Sequence, residues 1–152
     1  MSVFTLPTVA DNMVHFEFPI PGRTTPITVD CPKLNWMPPK NVKVWSEWLK
    51  PLAEAENRVA EWNDRNAGLS TDLREPAPAE DLKVIEGFDQ RELTGLRWLK
   101  QFCSAADYKT IVDNAPMAWA VLVRKQIDPT YETPADGLDD IDLGESSAST
   151  DS

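Results

Sequence analysis

One histidine, two cysteines and twenty-five carboxylates are the groups in this 152-residue chain from which acid–base, thiol or metal chemistry could be built. His15 stands between Val14 and Phe16 in an alternating run. That pattern predicts a strand with His15 at its surface or rim. A histidine acting as general base needs a positioned partner, and no local motif supplies one. Cys31 and Cys103 are far apart and belong to no CxxC or Cys/His cluster. They read as two thiols of a reducing compartment, with a disulfide between them left open. The acid pairs Glu54/Glu56 and Asp139/Asp140 lack the defined separation across a pocket that paired-carboxylate catalysis requires. Glu54 and Glu56 fall on a solvated helix face, and Asp139 and Asp140 in a polar tail. There is no P-loop, GxGxxG, HExxH or GxSxG, so the glycine cradles, zinc pairs and nucleophile elbows they encode are missing. The acidic residues also lack the ligand spacing of a calcium loop. The expectation is a protein that is not an enzyme, with no catalytic, cofactor-binding or metal residues and no cofactor.

Six tryptophans are the unusual feature. Most fall on helical stripes, where burial in a core explains them. The other use of tryptophan is as an anchor at the centre of a protein interface. Trp36, in a proline-rich connector, and Trp45 and Trp48, just before Pro51, are the candidate protein-binding residues.

The elements that must carry these side chains follow from periodicity. Residues 13–31 read as a β-hairpin. Val14, Phe16 and Phe18 alternate with polar residues, Pro21-Gly22 supplies turn chemistry, and Ile27, Val29 and Cys31 alternate again. A lone hairpin is marginal in water and must pack on something else. Residues 32–40 form a proline-bracketed connector. In residues 41–66, Trp45, Trp48, Leu52, Ala55, Val59 and Trp62 recur at intervals of three and four, the mark of one helical face. Pro51 either kinks this helix or restarts it, and Gly68 suits its stop. Residues 69–80 read as a loop and 81–87 as a short helix. Leu93, Leu96, Leu99, Phe102 and Cys103 form an apolar helical stripe after an Asp89/Glu92 capping signal. Ser104 with Asp107 caps the next helix, and Pro116 opens the last one. The predicted fold class is α+β and mostly α-helical: an N-terminal hairpin packed on a small bundle of helices. A single folded domain over 1–127 contains the hairpin (13–31) and a helical body (41–127), followed by an acidic tail at 128–152.

Charge is placed unevenly. The net charge is −10. Residues 128–152 hold eight acids and no Lys or Arg, which leaves −2 on residues 1–127. The tail is too polar to bury surface and is expected to be disordered. Binding to a phosphate backbone relies on Lys and Arg, so a nucleic-acid partner is disfavoured. No apolar run approaches the ~20 residues of a membrane helix, and no signal-peptide pattern opens the chain.

Four stretches together resemble the tail assembly chaperones of long-tailed, siphovirus-type actinobacteriophages. They are the hairpin VHFEFPIPGRTTPITVDCP, the helix-rich middle, the run LTGLRWLKQFCSAADYKTIVDNAP, and the polar ending LGESSASTDS. The likeness spans most of the chain, but each motif is loose. It implies a non-enzymatic protein of the host bacterial cytoplasm that is absent from the mature virion. Its implied partners are the tape measure protein, which it keeps soluble, and the tail tube protein, which it helps to recruit. A longer form of itself made by ribosomal frameshifting is a third. The alternative is a structural head–tail connector or tail terminator of the virion. An acidic DNA mimic is less well supported, because its carboxylates would need a rigid surface.

Overall fold

The computed structural model describes residues 2–132, which group into two compact units. One joins the chain up to Asn41 with the chain from Gln90 onward; the other is Val42–Asp89. The described residues form β1 (Met13–Phe18) and β2 (Ile27–Pro32), then α1 (Pro39–Asn66), α2 (Ala79–Glu86), α3 (Gln90–Thr94), α4 (Ala105–Asn114) and α5 (Met117–Ile127). Short 3-10 helices occupy Val9–Asn12, Leu34–Trp36, Thr71–Leu73 and Leu96–Phe102.

In the first unit β1 and β2 pair antiparallel, with Val14 opposite Cys31, Phe16 opposite Val29 and Phe18 opposite Ile27. The alternation predicted from sequence is realised. Phe18, Ile27, Val29 and Cys31 are buried, while His15, Glu17, Thr28 and Asp30 are exposed. Gly22 takes φ +84°, a left-handed conformation that glycine adopts without steric cost. The Arg23 N–H donates to the Ile20 carbonyl at 3.0 Å and closes that turn.

The hairpin packs on helices. β2 lies against the 3-10 helix Leu96–Phe102, which also contacts α3, α4 and α5. The stripe expected as a longer helix is thus divided into the five-residue α3 and a seven-residue 3-10 helix. The spacing is compatible with it. Leu96, Leu99 and Phe102 recur every three residues, and in a 3-10 helix positions i and i+3 eclipse on one edge. Leu96 and Leu99 are fully buried, with Ile111, Val121 and Ile127 around them in the core. Gly95, between the two pieces, lets the α5 backbone approach. A Cβ there would stand 2.5 Å from the Ala120 carbonyl oxygen and 3.0 Å from the Arg124 nitrogen.

Helix ends are closed by side chains. Ser104 Oγ accepts from the Asp107 N–H at 3.1 Å, as its position predicts. Arg91 Nη1 donates to the carbonyls of Val112 and Ala115 at 3.0 and 3.1 Å, satisfying two acceptors at the end of α4. After α5 the structure corrects one expectation. The acidic tail was placed from residue 128, yet Asp128 is buried. It accepts from the Thr130 N–H and hydroxyl at 3.1 and 2.6 Å and pairs with Arg124 at 3.4 Å. The Arg124 guanidinium lies 5.2 Å from the centre of the Tyr131 ring. Composition marks 128–132 as polar, but these local bonds fix it. The remainder of the expected tail, 133–152, lies outside the described residues.

In the second unit α1 runs through Pro51 as one helix, resolving the choice between kinked and restarted in favour of continuity. Pro51 is exposed, so the hydrogen bond it forgoes faces solvent. The face read from sequence is the one turned inward: Leu52 and Ala55 are buried, and Trp45, Trp48, Val59 and Trp62 half-buried. Gly68 at φ +77° ends the helix. The stretch after it is tied back to α1. Buried Asn66 donates to Glu75 Oε2 at 3.2 Å and accepts from the Glu75 N–H at 2.8 Å. Arg65 and Arg58 pair with Glu75 and Asp81 at 3.0 and 2.8 Å.

Candidate protein-binding surfaces

Two apolar surfaces stand out, one in each unit. In the second unit the three-residue step from Trp45 to Trp48 puts both indoles on one side of α1. Their ring centres are 5.1 Å apart at 51°, and Trp48 meets Phe88 at 5.2 Å and 52°. These tilted arrangements suit the ring quadrupoles. All three rings are half-buried, and Val42 and Val44 beside them are exposed. Such rings offer a rigid apolar surface at little entropic cost on binding. Trp36 belongs to the first unit, at the end of the 3-10 helix Leu34–Trp36. It is half-buried and precedes the buried Met37. The structure therefore brings Trp45 and Trp48 into contact and places Trp36 in the other unit. Of the six tryptophans only Trp98 is buried; the other five are half-buried.

The second surface was missed from sequence. A groove of about 210 Å³ runs in the first unit between β1 and α5, lined mainly by Phe16, Phe18, Trp119, Leu122 and Val123. Phe18 and Trp119 pack at 5.4 Å, and Phe16 stacks near Phe18 at 6.0 Å. The available signal was Trp119 and Leu122, three apart and off the α5 stripe that Ala120, Val123 and Ile127 define. What no periodicity gives is that α5 is the element lying beside β1.

The groups weighed first for chemistry are placed as follows. His15 is exposed, and its Nδ1 meets the Asp30 carboxylate across the hairpin, with Glu17 3.7 Å from Nε2. The bond to Asp30 raises the imidazole above its ordinary pKa. Cys31 and Cys103 are both free thiols. Cys31 is fully buried, and burial pushes its thiol up to about 12, so it is unreactive. Cys103 is partly exposed and donates to the Leu99 carbonyl at 3.3 Å. Burial also raises it. Glu54 and Glu56 are exposed on α1; Asp139 and Asp140 lie outside the described residues. An ionisable network that reaches the interior joins Tyr108, whose hydroxyl donates to Glu92, with Arg97 3.6 Å from the same carboxylate. Burial first, and then Glu92, raise the Tyr108 phenol. The network ties α3 and the 3-10 helix to α4. Among the described residues no group of three or more His, Cys, Asp or Glu is arranged to hold a metal ion, and no helix is long and apolar enough to cross a membrane.

Compared with protein-family models, curated proteins and solved structures, the chain finds no match in any of the three.

Proposed function

We propose that this chain is a phage tail assembly chaperone, non-enzymatic, which binds the tape measure protein in the host cytoplasm, keeps it soluble and helps recruit tail tube subunits. The observation that carries the proposal is the half-buried Trp45–Trp48–Phe88 run with exposed Val42 and Val44 beside it. A holdase needs apolar surface for its client and net charge to keep the complex in solution. The aromatic run supplies the first and the net charge of −10 the second. The hairpin, the Leu-rich run and the polar ending carry the resemblance to that family.

Co-expression with the tape measure protein is the test. The expected result is a client that becomes soluble and is recovered in complex. Trp45→Ala and Trp48→Ala should weaken the complex by about 2 kcal/mol or more, roughly thirtyfold in Kd, if these rings sit at the interface centre. Melting curves on the same variants separate lost binding from lost folding. A tape measure protein equally soluble with and without the chain, and no complex on pull-down, would sink the reading. Recovery of the chain from purified virions would favour the head–tail connector or tail terminator instead.

A further inference from the structure

The hairpin keeps one open edge, and its phase can be read from the ladder. Val14, Phe16 and Phe18 of β1 stand opposite Cys31, Val29 and Ile27 of β2. The Lys33 N–H donates to the Asn12 carbonyl at 2.9 Å, which continues the same register one residue before β1. Bonded and non-bonded pairs alternate along an antiparallel ladder. The even-numbered residues of β1 therefore bond to β2, and the N–H and C=O groups of Met13, His15 and Glu17 point away from it. Pro32, which has no N–H, falls opposite Met13 on a non-bonded pair, as this phase requires. The sheet has two strands, so the outward groups have no third strand to meet. No proline interrupts β1, and such an edge is a template for a further strand.

The side chains of β1 say which strand fits. Val14-His15-Phe16-Glu17-Phe18 runs apolar, basic, apolar, acidic, apolar, with Phe16 at its centre. We propose that β1 pairs antiparallel with β1 of a second copy about a two-fold axis at Phe16, joining two hairpins into one four-stranded sheet. In that register His15 of each chain stands opposite Glu17 of the other, Phe16 meets Phe16, and Val14 meets Phe18. The main chain is in phase with it, because His15 and Glu17 carry the outward groups and exchange both hydrogen bonds of each pair. Registers centred on His15 or on Glu17 use the same edge but set identical charges against each other, so charge selects Phe16. The His15 and Glu17 side chains are 58 and 63% exposed and free to meet a second copy. The other charges facing His15 are Asp30 on β2 and Glu17 of its own strand, and the bond to Asp30 favours the protonated imidazole. Half-buried Phe16 gains an aromatic cross-strand partner. A foreign strand would have to match this alternation, whereas a second β1 matches it by symmetry. The pairing also closes on itself. Its outer strands are the two copies of β2, whose free edges carry Asp30 and the donorless Pro32, so it gives a dimer and not a growing sheet.

The test uses the full chain. Sedimentation and light scattering across the micromolar range should show a dimer. Glu17→Pro removes an outward N–H and leaves the bonds to β2 in place; it should give a monomer with an unchanged circular dichroism spectrum. Glu17→Lys and His15→Glu should each weaken self-association roughly tenfold, since each sets like charges opposite one another. Mixing those two variants should restore a hetero-dimer, because each supplies the charge that the other then needs. Under mild oxidation Phe16→Cys should link two chains through their own position-16 peptides, and His15→Cys should not. A wild-type monomer at every concentration, a dimer indifferent to Glu17→Pro, no recovery on mixing the charge variants, or crosslinking at position 15 in place of 16 would each overturn the proposal.

Discussion

Gly95 and His15 show how much single residues decide here. At Gly95 the constraint is space, since an added methyl would meet the Ala120 carbonyl oxygen at 2.5 Å and the α5 backbone cannot retreat cheaply. Gly95→Ala is expected to destabilise the chain by about 1–3 kcal/mol, the usual cost of overpacking, read as a lower urea midpoint. His15 makes a different prediction. Its bond to Asp30 raises its pKa in the folded state. A histidine raised in this way adds stability that is fully present below the unfolded value of about 6.5 and fades as pH rises through the folded value. An NMR titration should place His15 above that reference, and Asp30→Asn should bring it back down. The pair is exposed, so the effect on melting should be slight and lost in high salt.

At the scale of elements, Leu96 is the strongest test of the core. It has no exposure at all, and Leu96→Ala should cost about 2–5 kcal/mol. Arg91 holds the end of α4 through two carbonyls; Arg91→Met should cost about 1–3 kcal/mol by leaving those acceptors without their charged donor. Pro51 points the other way. It interrupts the hydrogen bonding of a continuous α1 at an exposed position. Pro51→Ala should raise the melting temperature, with a gain of up to about 3 kcal/mol. These elements also show what sequence could and could not carry. The α1 face from Trp45 to Trp62 was legible because burial imposes a three-to-four spacing over many turns. The division at Gly95 was not, because a strict three-residue spacing over two turns fits either helix type. Asp128 escaped because its fixing bonds are local and polar and leave no hydropathy signal. The anchors Trp45 and Trp48 were visible as types on one face, whereas the groove depended on β1 meeting α5 from a hundred residues away.

For the whole molecule, six of the ten net negative charges lie beyond Glu132. A chain ending at Glu132 should keep the melting temperature of the full chain, because Asp128, Thr130 and Tyr131 retain their contacts. One ending at Ile127 should melt lower, since it loses the pairing of Asp128 with Arg124 and Tyr131 over the same guanidinium. Equal drops in both would mean that the acidic segment itself supports the fold.

The two thiols, described above as chemically quiet, also have a use in measurement. Both belong to the unit that carries the hairpin, and Val42–Asp89 contains no cysteine. An alkylating reagent applied in pulses during denaturation would therefore record the opening of one unit alone. Cys103 sets the early baseline, and Cys31, sealed in the interior, marks the moment the hairpin lifts. Trp45, Trp48 and Trp62 belong to the other unit, and Trp36, Trp98 and Trp119 to the first, so the optical signal reports both. Coincident alkylation and optical midpoints would mean that the two units unfold in one cooperative event, and separate midpoints that they unfold in sequence.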